Sequence, residues 1–255
     1  MNAVRLDCAE RRQAILDAAL PVFAERGFAA TTTRAVAEAA GVSEALIFKH
    51  FPSKTALYEA LFLTCVEGDP ELARLCALPP STATLVAFVQ GLVAYFLLEL
   101  PADPAARARH RLLLQSLLGD GSFATLTSRW IASRIAGPFC AALAAAQAAG
   151  DATPEPVAAE NGLWFAYHLA AMLATVALPG GAAVTGLAVA DAGERARQVL
   201  WFLLRGLGLT PAVITLHLTA GLVPASPVTA GLVPASPAGV CPQIFQGKDD
   251  SHVGF

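Results

Sequence analysis

The sequence predicts an all-α protein, and three observations carry that expectation. Alanine is the dominant residue, and it favours helix over strand. Apolar residues recur at three- and four-residue spacing along most of the chain, the period of a helix face. No run reads as a β-hairpin. With 255 residues, 55% of them hydrophobic and 15% charged, the chain is long enough for one large domain or two small ones. Its mean hydropathy of +0.55 excludes a solvated, disordered chain over most of the length.

In the first helix Ile15, Ala18, Ala19, Val22 and Phe23 share one face. Gly27 suits the residue that ends it, with Phe28 supplying the accompanying apolar contact. Thr32 is placed to cap a second helix, which runs to about Ala40 and stops at Gly41. Ser43 caps a short third helix, Glu44 to His50, with Glu44 near its positive end. Phe51-Pro52 breaks it. Ser53 caps a fourth, in which Leu57, Leu61 and Cys65 form one stripe and Tyr58 and Phe62 the next. Further helices are expected near 71–77, 82–100, 104–118, 122–149, 155–178 and 191–208. The breaks between them are Pro79-Pro80, Pro101 with Pro104, Gly119-Asp120-Gly121, Gly150 to Pro156 and Pro179 to Gly186. Pro138 is expected to kink or divide the 122–149 stretch.

The end of the chain differs. TAGLVPASP occurs at 219–227 and again at 229–237, and no charge falls between Arg205 and Lys248. Two copies are too few for a solenoid. Residues 211–255 therefore read as a Pro/Gly-rich, unstructured tail.

Charge and cysteine usage narrow the class. Seventeen Lys and Arg against 20 Asp and Glu exclude a general polycation. The five cysteines are scattered without a CxxC pair, which argues against a disulfide framework or a structural zinc and fits a reducing cytoplasm. The N-terminus is charged and has no apolar signal segment. Leu163 to Leu178 is apolar enough to be weighed as a membrane span. His168 interrupts it, Pro179-Gly180-Gly181 stops it and no Lys or Arg cluster brackets it, so it reads as a buried helix. GxSxG, HExxH, P-loop and complete GxGxxG motifs are missing, and the histidines at 50, 110, 168, 217 and 252 have no metal-like spacing. The expectation is a protein that is not an enzyme and uses no cofactor or metal.

The informative segment is TTRAVAEAAGVSEALIFKHF, residues 32–51. It reads as two short helices around a tight turn at Gly41, with Val36, Ala37, Ala40, Val42 and Ile47 inward. The second helix projects Glu44, Ala45, Phe48, Lys49 and His50. An exposed Phe beside Lys and His suits a helix that enters a major groove, where apolar atoms meet thymine methyls and cations meet phosphate.

The surrounding stretch, ILDAALPVFAERGFAATTTRAVAEAAGVSEALIFKHFPSKTALYEAL, resembles the N-terminal domain of the tetracycline-repressor (TetR) family of bacterial regulators. The matching features are AxxxFxxxGF, TT-R, AGVS, FKHF and SK-LY, over about 50 contiguous residues. Phe48 stands where the family often has Tyr, and Val36 where Ile is usual. The resemblance implies that Thr32 and Thr33 bond a phosphate, and that Arg34 touches backbone or base. It implies that Ser43, Glu44 and Ala45 face base edges. Phe48, Lys49 and His50 would contact sugar and phosphate, and Lys54 would hold a phosphate. Seven Lys or Arg against eight Asp or Glu in residues 1–68 mark no basic domain, so placement rather than net charge carries this reading.

Three regions follow: a helix-turn-helix domain at 9–68, a helical ligand-binding and dimerisation domain at 69–210, and the tail at 211–255. The resemblance implies homodimers with two interface helices per subunit. Leu163, Trp164, Tyr167, Ala171, Leu200, Leu203, Leu204 and Leu207 are candidates, and filling the subunit core is the other use open to them. Phe88, Tyr95, Phe96, Leu114, Phe123, Trp130, Phe139 and His168 are candidates for lining an effector pocket or, again, for the core. The low charge there suits an apolar small-molecule effector. Arg107, Arg109, His110 and Arg111 read as a basic cluster that solvates its helix. The combined expectation is a cytoplasmic, homodimeric regulator, a repressor of a palindromic operator in double-stranded DNA, with no membrane association. A membrane-associated helical protein and a small-molecule-binding module without operator binding are the alternatives.

Overall fold

The structure is a computed structural model that describes residues 7–66, 70–154, 156–176, 186 and 191–219. It is all-helical. Among the described residues the only β feature is an isolated antiparallel bridge between Ala152 and Leu209.

The first helix, α1 (Cys8–Ala30), opens with a reciprocal cap between Asp7 and Glu10. Gly27 adopts φ 74°, so the helix turns there before one last turn at Phe28–Ala30. Its buried face is Ile15, Leu16, Ala19, Leu20, Phe23 and Ala24. Ala18 and Val22, expected on that face, are only half-buried. Then come α2 (Thr33–Ala39), α3 (Glu44–His50), α4 (Lys54–Val66) and α5 (Pro70–Cys76).

Two long helices contain a proline just after a π-helical turn. Helix α6 (Thr82–Ala102) contains a π-helical turn at Tyr95–Glu99 just before Pro101. After α7 (Pro104–Leu118), helix α8 (Ser122–Ala148) has another at Ala132–Ala136 just before Pro138. A proline ring clashes with the carbonyl four residues earlier, here Leu97 and Arg134. Both carbonyls lie in the widened turns, which relieve the clash. The break expected at Pro101 with Pro104 falls at Asp103, where the backbone is extended, and the interruption expected at Pro138 takes the form of the π-helical turn before it.

The remaining helices are α9 (Ala159–Val176), α10 (Ala192–Gly206) and α11 (Pro211–Thr219). The last corrects the expected start of the tail. Thr210 Oγ1 accepts from the Val213 amide, Pro211 sits at the first helical position and Ile214 is fully buried in the core. The TAGLVPASP repeat lies outside the described residues beyond Thr219.

Two large apolar clusters organise the molecule. One joins α1–α4 and is completed by Leu112 and Leu113 of α7 and Phe123 and Ala124 of α8. The other joins α6, α8, α9, α10 and α11 around Leu85, Val89, Phe139, Leu200 and Leu204. A smaller third cluster sets Phe96 and Leu100 against Ala106, Ala170, Ala171 and Ala174. Each fully buried Leu or Phe contributes roughly 1.5–3 kcal/mol relative to exposure. Helix α7 lies along α1, so the N-terminal helices rest on the rest of the molecule through a broad contact.

Helices α6 and α8 are long and apolar enough to cross a membrane by length and composition alone, yet half of the apolar window of α6 is buried within the protein. The stretch weighed as a span from Leu163 forms α9, with Leu163, Ala166, Ala170 and Ala174 buried. Leu178 lies outside the described residues.

Candidate nucleic-acid interface

Local sequence shapes the α2–α3 unit. Thr32 Oγ1 accepts from the Ala35 amide at 3.1 Å and starts α2. Val36 and Ala37 anchor it to the core. At its end Gly41 takes φ +64°, and the amides of Gly41 and Val42 bond back to the carbonyls of Glu38 and Ala37. Ser43 Oγ then accepts from the Leu46 amide at 3.3 Å and starts α3. Ile47 is the fully buried anchor of that helix, and the Phe51 amide closes it on the Ile47 carbonyl at 2.8 Å.

Anchoring Ile47 turns the opposite face to solvent. Ser43, Glu44, Ala45, Phe48 and Lys49 are exposed, and His50 is half-buried. Phe48 keeps 48% of its surface exposed. Thr33 Oγ1 donates to Glu44 Oε1 at 2.5 Å, tying the start of α2 to the start of α3. Arg34 pairs with Glu38 at 3.1 Å, and both side chains are largely exposed.

Two residues expected at phosphate are engaged inside the domain. The Thr32 hydroxyl caps its own helix. Lys54 Nζ donates to the carbonyls of Phe28 at 2.9 Å and Thr31 at 3.0 Å, and sits 4.4 Å over the Phe28 ring. Those carbonyls belong to the end of α1 and its exit, where no helical amide reaches them, so an ammonium replaces the missing donors.

One functional candidate escaped the sequence reading. A cleft of about 460 Å³ brings Arg11 beside Ser43, Lys49 and His50, with Asp7 and Cys8 at its edge. Arg11 belongs to the first turns of α1, so its proximity to α3 depends on how the helices cross. Arg12 instead lies 5.0 Å over the buried Phe51 ring.

The model of the family described as bacterial regulatory proteins, tetR family, matches residues 15–61, which run from α1 into α4. Residues 15–61 form a tetR-family domain. The chain is 53% identical over 47 residues to an uncharacterised HTH-type transcriptional regulator of Bacillus subtilis, YvkB, covering 18% of this chain and 25% of that protein. The HTH-type transcriptional repressor KstR2 of Mycobacterium tuberculosis is 35% identical over 92 residues, 36% of this chain and 45% of the relative. The chain thus matches between a quarter and less than half of the length of these relatives. The fold extends further. The structure of the ketosteroid transcriptional regulator KstR2 of Mycobacterium tuberculosis superposes with TM-score 0.55 at 20% identity, covering 82% of this chain and all of that one. FadR of Bacillus subtilis, solved with stearoyl-CoA, gives 0.55 at 16% identity over 76% of this chain and 98% of that one.

Beyond the tetR-family domain, the eight residues weighed for a pocket fall in different places. Phe88 and Phe139 meet edge-to-face at 6.1 Å in the large C-terminal cluster. Phe123 packs on Tyr58 and Phe62 of the tetR-family domain. Tyr95 and Phe96 join Tyr167 in the third cluster. Trp130 touches both large clusters, Leu114 is half-buried, and His168 is exposed, stacked on Trp164. His110, expected on a solvated face, is buried. Its Nε2 pairs with Thr175 Oγ1 at 2.8 Å, and Phe96 covers its ring.

Of the eight residues weighed for a dimer face, six are buried within the subunit. Leu200 and Leu204 are fully buried, and Leu163, Ala171, Leu203 and Leu207 nearly so. Trp164 and Tyr167 pack half-buried against the clusters. Gly162 marks how close this packing is, since a Cβ there would stand 2.8 Å from Leu207 Cδ2. The solvent face of the same helices carries Phe165 and Met172 on α9 and Trp201 and Phe202 on α10.

Proposed function

We propose that the protein is a ligand-responsive transcriptional regulator that binds a palindromic DNA operator as a homodimer and acts as a repressor. The observation that carries this reading is α3. It is anchored by Ile47 and presents Glu44, Ala45, Phe48 and Lys49 on one exposed face, with Arg11 and His50 beside it. In a major groove, Ser43, Glu44 and Ala45 would meet base edges. Phe48, Lys49, His50 and Arg34 would meet sugar and phosphate, and Arg11 would add a cation. Thr33 would meet phosphate through its backbone amide at the start of α2, while its hydroxyl stays on Glu44. Residues 9–68 are the DNA-binding region, and 69–210 the effector and dimerisation region.

The exposed apolar face of Phe165, Met172, Trp201 and Phe202 supports dimerisation. A second copy laid on it would bury two helices from each subunit, and a palindrome would be matched by recognition helices about 34–36 Å apart. The repressor assignment draws on the name carried by KstR2. The charge-poor clusters around α6, α8 and α9 suit an apolar small-molecule effector. Its leverage lies in the contact of α7 with α1 and in the packing of Phe62 on Phe123. It releases DNA to the extent that it prefers the non-binding conformation. This work needs no catalytic residue or cofactor and takes place in the cytoplasm.

Selection of genomic fragments on the purified protein, with non-specific competitor, tests the reading. An enriched inverted repeat supports it. No enrichment from folded, dimeric, ligand-free protein removes it.

A further inference from the structure

We propose that Glu44 is a specificity-determining residue that reads a cytosine in each half-site, with Thr33 as its positioning residue. This rests on the reading of α3 as the recognition helix.

A carboxylate on that face is an electrostatic liability, because it approaches a surface of phosphates. Arg11, Lys49 and His50 line the cleft beside α3, but two other nearby cations are already engaged. Arg34 is paired with Glu38, and Lys54 is bound to backbone carbonyls. Glu44 is nonetheless held outward. Thr33 Oγ1 donates to its Oε1 at 2.5 Å, which restricts a flexible side chain and leaves Oε2 as the second acceptor. The carboxylate is an acceptor only, so it needs a donor at the base edge.

The major groove offers few donors. Guanine presents two acceptors, N7 and O6, and thymine presents O4 and a methyl group. Adenine presents its N6 amino group beside the N7 acceptor, which repels a carboxylate. Cytosine presents its N4 amino group as a donor with no acceptor of its own beside it. Among the four bases, cytosine is therefore the partner for Glu44. A glutamine in its place carries both a donor and an acceptor and matches adenine N6 and N7.

The experiment is fragment selection on the full chain, repeated for Glu44→Gln, Glu44→Ala and Thr33→Val, with thermal melting of each. The parent is expected to enrich a motif with one cytosine per half-site whose replacement lowers affinity roughly 5- to 150-fold. Glu44→Gln is expected to shift that position to adenine, and Glu44→Ala to flatten it. Thr33→Val is expected to weaken the cytosine preference without the shift. All other positions stay as in the parent. A merely structural role for Glu44 would lower the melting temperature and leave the motif unchanged, and that result overturns the proposal. An enriched parent motif that all three variants share removes Glu44 as a reader and leaves the regulator reading standing. No enriched motif with the parent overturns both.

Discussion

Lys54 meets Phe28 twice: its Nζ donates to the Phe28 carbonyl at 2.9 Å and lies 4.4 Å above the ring of the same residue. The two residues are 26 positions apart in the chain. The contact joins the start of α4 to the end of α1 and closes the tetR-family domain around Thr31. Thr31 Oγ1 itself donates to the Gly27 carbonyl at 2.7 Å. The lysine that the family resemblance assigns to a phosphate is thus a helix-end donor here.

Lys54→Met keeps the apolar stem and removes the ammonium. It is expected to destabilise the protein by about 2 kcal/mol, the scale of a charge-assisted hydrogen bond. The salt dependence of DNA binding should match that of the parent. Chemical denaturation and binding titrations over a salt series check both. Unchanged stability with a shallower slope would return Lys54 to the phosphates.

Lys49 is exposed beside Arg11 and His50. Lys49→Ala should weaken binding to all DNA alike and reduce the slope of log affinity against log salt by about one per subunit. Melting should be unaffected. The two substitutions should therefore separate cleanly, Lys49→Ala changing DNA binding and Lys54→Met changing stability.

Leu200 and Phe202 are two residues apart on α10 and face opposite ways, fully buried and 65% exposed respectively. Leu200→Ala opens a core cavity and should cost about 2–5 kcal/mol of stability. Phe202→Asp should keep the fold and convert dimer to monomer in sedimentation velocity. A Phe202→Asp protein that stays dimeric would place the subunit contact elsewhere.

Burial holds the His110 imidazole below its ordinary pKa of 6.5, with the Ala171 backbone contact opposing the shift. The folded state therefore resists a proton that the unfolded chain accepts. The stability this neutral histidine contributes is present above pH 6.5 and is lost as pH falls through 6.5 towards the lower folded value. Urea midpoints measured from pH 8 to pH 5 should fall in the acid half of that range. His110→Gln should flatten the decline, while it keeps a hydrogen-bonding group for Thr175. At the other end, burial pushes the Tyr58 phenol up to about 12, with the Ser122 hydrogen bond opposing and Asp120 adding to it. Stability should therefore also fall as pH rises past 10.

Much of the fold is written in local signals. The caps Asp7, Thr32, Ser43, Ser53, Ser81, Asp103 and Asp191 each bond an amide two or three residues ahead. Such contacts need no distant partner, so helix starts are legible from the chain alone. The turn at Gly41 is equally local, and with it the exposed face of α3. Helix α11 carried the same kind of signal in Thr210-Pro211, with Ile214 and Leu218 four apart. The uncharged Pro/Gly-rich stretch that follows obscured it.

Other features required the third dimension. Helices α9 and α10 are apolar on more than one side, so their spacing does not tell which side faces inward. Packing decided that Leu163, Leu200 and Leu204 lie within while Phe165, Met172 and Phe202 lie without. The partner of Lys54, the approach of Arg11 to α3 and the bond from Thr33 to Glu44 join residues from separate helices. The sequence by itself determined where helices begin, where they turn and which short helix is presented. The tertiary structure decided which polar side chains remain free to meet a partner. A cap is satisfied within one turn of its own helix, whereas a long side chain binds whatever the crossing of helices brings within reach.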